Sequence, residues 1–150
     1  TAAVNNVSIG DNTKIAGNVK IFGSPENQLV VGKSCYFGPN TLVEGYNAQV
    51  TIGNHVSFAQ NINLMSGSGP NASDIMQRIF PILKGEVSLG DHTWIGASVV
   101  IMPNVTLGKY CVVAANSFVN TSFPDYSIIG GSPAKLIRTL TEEEIKKLHE

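Results

Sequence analysis

Aliphatic residues recur at every sixth position over much of the chain, and small or polar residues lie between them. The pattern is clearest in residues 89–119, where a Gly or Ala follows the aliphatic residue in four of the six steps. A period of six fits neither the 3.6-residue period of a helix nor the two-residue period of a strand. It is typical of a hexapeptide-repeat β-helix, in which each repeat is one short strand and one turn. The repeating position is occupied by Leu89, Ile95, Ile101, Leu107, Val113 and Val119.

The same repeat extends towards the start of the chain. Three repeats close one triangular coil, so the eighteenth residue returns to an equivalent position, here Val31, Ile52, Leu89 and Leu107. The first interval exceeds one coil by three residues, which predicts a bulge around residues 45–49, and residues 24–28 interrupt an earlier coil. The second interval exceeds one coil by nineteen residues, which predicts one long insertion. The earlier repeating positions are Ile9, Ile15, Ile21, Phe37, Val43, Phe58 and Leu64.

The pattern therefore predicts an all-β protein, a parallel β-helix with one long inserted loop and a short C-terminal helix. We expect a single domain over residues 1–150, with coils at about 7–122, the inserted loop at about 66–85, and a C-terminal extension and helix over 123–150. One coil cannot bury its own aliphatic face, but stacked coils form a continuous apolar column. Thr141 and Glu144 are spaced as a capping box for the terminal helix.

Composition narrows the possible partners and the compartment. Charged residues make up 14% of the chain and the net charge is −1, so we expect neither nucleic acid nor an anionic membrane surface as a partner. The absence of a long apolar run and of a leader pattern favours a cytoplasmic protein without membrane insertion. Cys35 and Cys111 fall three coils apart, about 14 Å by strand spacing. That distance is too long for a disulfide, so both are predicted to be core thiols.

Two longer stretches resemble a known family. The phrases LGDHTWIGASVVIMPNVTLGKYCVVAANSFV and SIIGGSPAKLIR are similar to the C-terminal half of the hexapeptide-repeat acetyltransferases, especially the maltose, galactoside, xenobiotic and capsule-sugar O-acetyltransferases. The resemblance covers roughly residues 31–138. It implies a left-handed β-helix, a homotrimer, and acetyl-CoA bound in a groove between adjacent prisms. It also implies that a sugar acceptor enters near the inserted loop.

The resemblance also implies a cofactor surface. Small and flat side chains suit a groove in which the thin pantetheine arm lies along a prism face, and basic side chains suit its phosphates. A Lys that is usual in the family just after the last repeat is replaced by Thr121. The implied groove residues are Trp94, Ala97, Ala115 and Ser117, and the implied phosphate contacts are Lys135 and Arg138.

The general base of the family does not carry over. Family members use a His on the inserted loop, in a phrase like T-x-x-H-P, and here Gly69 stands at that position before Pro70. Glycine cannot move a proton. Asn40 lies near the position where some family members have an Asn that orients the acceptor. Asp74 on the inserted loop is a further candidate for the general base.

Two histidines are alternative bases. His55 and His92 each lie three residues after an equivalent aliphatic residue, so the repeat stacks them about 4.8 Å apart. Neighbouring imidazoles disfavour double protonation, which would leave a neutral base. Because the insertion leaves between these two coils, we expect the pair near its root. The alternative is that both are plain turn residues, and His149 is expected to be frayed at the chain end.

These residues leave three functions open. The first is an acetyl-CoA-dependent acetyltransferase that acts by direct attack of a hydroxyl or amino group of a sugar-containing acceptor. The second is a non-catalytic hexapeptide scaffold that has lost the catalytic His, which Gly69 supports. The third is a zinc enzyme of the γ-carbonic-anhydrase kind, which needs three converging His where the repeat holds two; no metal is therefore predicted.

Overall fold

The computed structural model describes residues 1–150 and contains three sheets that form the faces of a prism, all parallel except for the last strand of one sheet. Each coil contributes one strand to each sheet in turn, and neighbouring coils are hydrogen-bonded. Sheet A contains β1 (Ala3–Asn5), β4 (Lys20–Phe22), β7 (Leu42–Glu44), β10 (Asn63–Met65), β15 (Val100–Ile101) and β18 (Phe118–Val119). Sheet B contains β2 (Val7–Ile9), β5 (Leu29–Val31), β8 (Val50–Ile52), β13 (Val87–Leu89) and β16 (Thr106–Leu107). Sheet C contains β3 (Lys14–Ile15), β6 (Tyr36–Phe37), β9 (Ser57–Phe58), β14 (Trp94–Ile95), β17 (Val112–Val113), β19 (Ser127–Gly131) and β20 (Ala134–Thr139).

The repeating aliphatic residues point into the prism. Val31 pairs with Ile52, Ile52 with Leu89, and Leu89 with Leu107, so equivalent residues stack in register. All four are at most 2% exposed and belong to one core cluster of 25 residues. The predicted all-β parallel β-helix is confirmed.

Turns between the strands explain the polar residues of the repeat. The residue three places after most inward aliphatic residues has a positive φ, between 52° and 68° across the chain. Asn, which tolerates this region, is the commonest residue there. Two corners are regular: the B–C corner carries Asn12, Ser34, His55, His92, Tyr110 and Tyr126, and the C–A corner carries Asn18, Asn40, Asn61, Ser98 and Asn116.

The A–B corner carries the irregular segments. Residues 24–28 and 45–49 bulge there, between a strand of sheet A and the next strand of sheet B. The long insertion leaves after β10 and returns at β13. It contains an antiparallel pair, β11 (Gly67–Ser68) with β12 (Leu83–Lys84), and a one-turn helix, α1 (Asp74–Gln77), capped by Ser73.

The stack is longer than the predicted limits of 7 and 122. β1 adds a strand before residue 7, Phe123 bridges to Leu107, and β19 pairs in parallel with β17. The final coil is two residues shorter than the others, as the pairing of Val113 with Ile129 shows. This shortened interval hides the last coil from an eighteen-residue count.

The chain end folds back on sheet C. β19 and β20 form an antiparallel hairpin, and α2 (Glu142–Leu148) follows with the predicted capping box of Thr141 and Glu144. Neither helix is long and apolar enough to cross a membrane. Cys35 and Cys111 are buried, unpaired thiols as predicted, and burial raises the pKa of each.

Candidate acyl-transfer site

The two repeat histidines stack at the B–C corner. The ring centroids of His55 and His92 are 4.7 Å apart with an interplanar angle of 5°, close to the predicted strand spacing. The column continues, because His92 stacks on Tyr110 at 4.9 Å and Tyr110 on Tyr126 at 5.5 Å. Stacking presents ring faces to ring faces, so the two imidazoles do not converge on one point. Within this chain, no three His, Cys, Asp or Glu side chains form a metal-binding group.

The expected proximity of these histidines to the insertion is wrong. The insertion leaves from the A–B corner, whereas His55 and His92 lie at the B–C corner, across the strands of sheet B. The six-residue period aligns residues along the prism axis, but it does not show that two features share a corner.

His149, which was expected to be frayed, contacts this column. Its ring lies edge-on to Tyr110 at 5.5 Å, and its Nε2 is 3.3 Å from the Tyr126 hydroxyl. No local sequence signal indicates this contact between the end of α2 and the B–C column.

The predicted groove residues lie on sheet C and along the C–A corner. Trp94 is on the outer face of β14, is 58% exposed, and lies between Ser57 and Val112 of the adjacent strands. Ala97 and Ala115 occupy the turns that follow in successive coils, where the backbone N–H of Asn116 donates to the Ala97 carbonyl at 2.9 Å. Ala97 is half-buried and Ala115 is exposed, so only methyl side chains stand at these two positions near the indole.

Ser117 has a different environment from its neighbours. It is 2% exposed, and its hydroxyl donates to the Ala114 carbonyl at 2.7 Å and accepts from the Gly131 amide at 3.0 Å. It links the β19–β20 hairpin to the turn before β18. Because its side chain is buried and its hydroxyl is already hydrogen-bonded, Ser117 does not present a surface for a ligand, unlike the groove role that the resemblance implied.

A surface pocket of about 480 Å³ lies beside the hairpin. Lys135 and Thr121 both line it, so the residue that replaces the usual Lys faces the same space as the predicted phosphate contact. The remaining lining residues are Asn120, Phe123, Pro133, Ala134 and Leu136.

Arg138, the second predicted phosphate contact, is engaged by α2. Its guanidinium donates two hydrogen bonds to the Glu144 carboxylate, at 2.6 and 3.1 Å. The hydrogen-bonded ion pair with Arg138, and a further hydrogen bond from the Thr141 backbone N–H, lower the pKa of Glu144 to about 2. The same ion pair raises the pKa of Arg138. Of the two predicted phosphate contacts, Lys135 lines the pocket and forms no ion pair, whereas Arg138 is paired with Glu144.

The acceptor-side candidates are dispersed. Asn40 is a C–A corner residue, exposed, and its Oδ1 accepts from Asn18 Nδ2 at 2.7 Å. Asp74 is exposed in the first turn of α1. A Cβ at Gly69 would lie 2.8 Å from Ile82 Cα, so the insertion packs too closely there for a His.

A carboxylate that the repeat pattern did not single out lies at the root of the insertion. Glu44 ends β7 on the outer face of sheet A and is partly buried. Its carboxylate accepts hydrogen bonds from the Ser66 hydroxyl, from the Tyr46 amide at 2.8 Å and from Asn47 Nδ2 at 3.2 Å. Ser66 is fully buried, and its hydroxyl oxygen accepts from the backbone N–H of Asn47 at 3.0 Å. The available sequence signal was its position directly before the 45–49 bulge.

Comparison with known proteins places this architecture in a class. The family described as bacterial transferase hexapeptide (six repeats) matches residues 86–121. The N-acyltransferase AntD from Bacillus cereus, solved with dTDP and 3-hydroxybutyryl-CoA, superposes with a TM-score of 0.81 at 22% identity, covering 99% of this chain and 81% of that one. This similarity supports the fold.

Two relatives extend the match in sequence. A galactoside O-acetyltransferase of Lactococcus lactis is 30% identical over 77% of this chain and 58% of its own length. A putative colanic acid biosynthesis acetyltransferase of Escherichia coli is 33% identical over 91% of this chain and 71% of its own. The chain belongs to the hexapeptide-repeat acetyltransferase family. It spans about three fifths of the length of the first of these relatives.

Proposed function

We propose that this protein is an acetyl-CoA-dependent acetyltransferase that transfers the acetyl group to a hydroxyl or amino group of a sugar-containing acceptor. The observation that carries the proposal is the exposed indole of Trp94 on sheet C beside the small residues of the C–A corner. The pocket with Lys135 lies at the end of the stack, between the β19–β20 hairpin and residues 120–123. Relatives named as sugar acetyltransferases support the acceptor class.

Each feature matches one part of CoA. A strip of small residues around Ala97 and Ala115 suits the narrow pantetheine arm, and the flat face of Trp94 suits its apolar stretch. Lys135 supplies a cation for a phosphate group, and Thr121 offers a hydroxyl beside it. Arg138 can contribute only after its ion pair with Glu144 opens. The acetyl thioester would then lie towards the coils nearer the insertion.

We further propose that the site is completed by a second copy, in a homotrimer. The residues proposed to bind CoA include Trp94 on sheet C, whereas the insertion leaves the A–B corner, so the two lie on different sides of one prism. A partner whose sheet A faces this sheet C brings its insertion to these residues. A cytoplasmic location stays a prediction.

Transfer is expected to be direct. The acceptor oxygen or nitrogen attacks the thioester carbonyl, and the tetrahedral oxyanion is stabilised by nearby N–H or hydroxyl donors. The alternative, a non-catalytic scaffold, draws support from Gly69, since the insertion has no room for the His of the family at that place.

Calorimetry with CoA and thiol release from acetyl-CoA distinguish an acetyltransferase from a non-catalytic scaffold. We expect CoA binding to weaken about three- to tenfold in Lys135→Ala, the loss of one charge-assisted contact at an exposed site. Lys109→Ala, which removes an exposed cation at the B–C corner, is the matched control and should bind like the wild type. Thiol release with a panel of methyl galactoside, glucosamine and UDP-N-acetylglucosamine identifies an enzyme. CoA binding without turnover on any acceptor supports the scaffold, and no CoA binding contradicts both.

A further inference from the structure

The structure contains one carboxylate held rigidly where the insertion leaves the prism. Glu44 lies on the outer face of sheet A, in register with Phe22 on one neighbouring strand and Met65 on the other. Both neighbours are partly buried apolar residues. An anionic group between two apolar side chains forms a small site that is polar at its centre and apolar at its sides.

The hydrogen bonds of Glu44 leave part of its accepting capacity free. Oε2 accepts from the Ser66 hydroxyl and the Tyr46 amide, whereas Oε1 accepts only from Asn47 Nδ2, at 3.2 Å. A carboxylate has about four lone-pair sites, so one site on Oε1 is unused. The Oε2 contacts fix the orientation of the group, and Oε1 is the atom that remains for a ligand.

Glu26 and Glu86 also lie at the A–B corner, but both are exposed and neither side chain makes a hydrogen bond. The histidine column lies across sheet B, Gly69 has no side chain, and Asp74 is exposed on α1 beyond the root. Glu44 instead contacts both the 45–49 bulge and the first residue of the insertion through Asn47 and Ser66. A fixed carboxylate with a free lone pair can serve as a general base.

We propose that Glu44 binds the nucleophilic hydroxyl of the acceptor and accepts its proton during acetyl transfer. This inference rests on the proposed acetyltransferase function and assigns the base that the family's loop His does not supply here. The flanking Phe22 and Met65 suit the apolar C–H face of a sugar ring. Because Trp94 of the proposed CoA site is on sheet C, Glu44 of one copy would act on a thioester held by its neighbour.

The transfer step balances without a further reactant. The acceptor O–H donates its proton to Glu44 as the oxygen forms a bond to the acetyl carbon. The tetrahedral intermediate then collapses, the carbon–sulfur bond breaks, and the CoA thiolate takes the proton back from Glu44. The products are the O-acetylated acceptor and CoA.

Two variants separate a catalytic role from a structural one. Glu44→Gln keeps an amide oxygen to accept hydrogen bonds but cannot take a proton. Ser66→Ala removes the hydrogen bond that the Ser66 hydroxyl donates to Glu44 and keeps the carboxylate. The measurements are kcat and KM for the best acceptor of the panel, CoA affinity by calorimetry, and melting temperature, all on the full chain.

We expect Glu44→Gln to lower kcat by about 10²–10⁴-fold with CoA affinity unchanged within about twofold. Ser66→Ala should lower the melting temperature at least as much, yet lower kcat less than about tenfold. The inference is overturned if Glu44→Gln keeps kcat within about threefold, or if both variants lose activity in parallel with stability. A wild-type chain that acetylates no acceptor overturns the proposed function, and the inference with it, so the two failures are distinguishable.

Discussion

His92 provides the sharpest test of whether the stacked column is catalytic or structural. Its ring lies between His55 at 4.7 Å and Tyr110 at 4.9 Å, so replacement removes two ring–ring contacts. Aromatic pairs contribute about 0.5–1.5 kcal/mol each, which gives a loss of about 1–3 kcal/mol in the free energy of unfolding. Asn is the appropriate substitute, because φ at this position is 62° and Asn adopts that region readily.

The matched control is His55→Asn, since only one ring stacks on His55 and its φ is 57°. We expect it to destabilise the protein about half as much as His92→Asn. Denaturant unfolding at one fixed protomer concentration measures both, and acetyl-CoA thiol release measures activity. Turnover should stay within about twofold in His92→Asn. A decrease of about 10²-fold or more in a folded variant would show a base, and equal destabilisation by the two variants would refute the stacking argument.

Two further predictions concern the core and the C-terminal helix. Phe58 is fully buried and stacks on Phe37 at 4.6 Å, so Phe58→Ala should lower the free energy of unfolding by about 3–5 kcal/mol in denaturant titrations; a loss below about 1.5 kcal/mol would contradict a close-packed column. The pKa of Glu144 is lowered from 4.5 to about 2 by Arg138, so the contacts that dock α2 should be complete above pH 4.5 and lost as the pH falls towards 2. An NMR titration of the Glu144 carboxyl checks this, with Arg138→Gln as control, and a midpoint near 4.5 in the unmodified chain would show that the ion pair does not form in solution.

Much of the fold is predictable from single residues and their spacing. An aliphatic residue at every sixth position has one consistent solution, because each coil can bury its apolar side only against the next coil. The same count placed Cys35 and Cys111 in the core and stacked His55 on His92 at nearly the observed distance. Thr141 and Glu144 formed their capping box, since that signal is local.

The last coil was missed for a local reason. Val113 pairs with Ile129 instead of with a residue eighteen positions on, and Pro124 and Gly130 interrupt the aliphatic pattern. Backbone pairing continues where side-chain periodicity fails, because parallel strands need only matching hydrogen-bonding groups. The contact of His149 with Tyr126 was missed because it joins residues from two elements with no repeat between them.

The sequence by itself determined a stack of hexapeptide coils, its core, its insertion and its resemblance to acetyltransferases. Only the tertiary structure decided which corner of the prism each feature occupies. The six-residue period specifies how far along the prism axis a residue lies. Which corner the residue occupies depends on counting strands through the bulges and the insertion, which shift the repeat. The structure therefore separated His92 from the insertion, engaged Arg138 with Glu144, and placed Glu44 against Ser66 at the insertion root. These outcomes depend on side-chain contacts and on the phase of the coils, which the six-residue spacing does not encode.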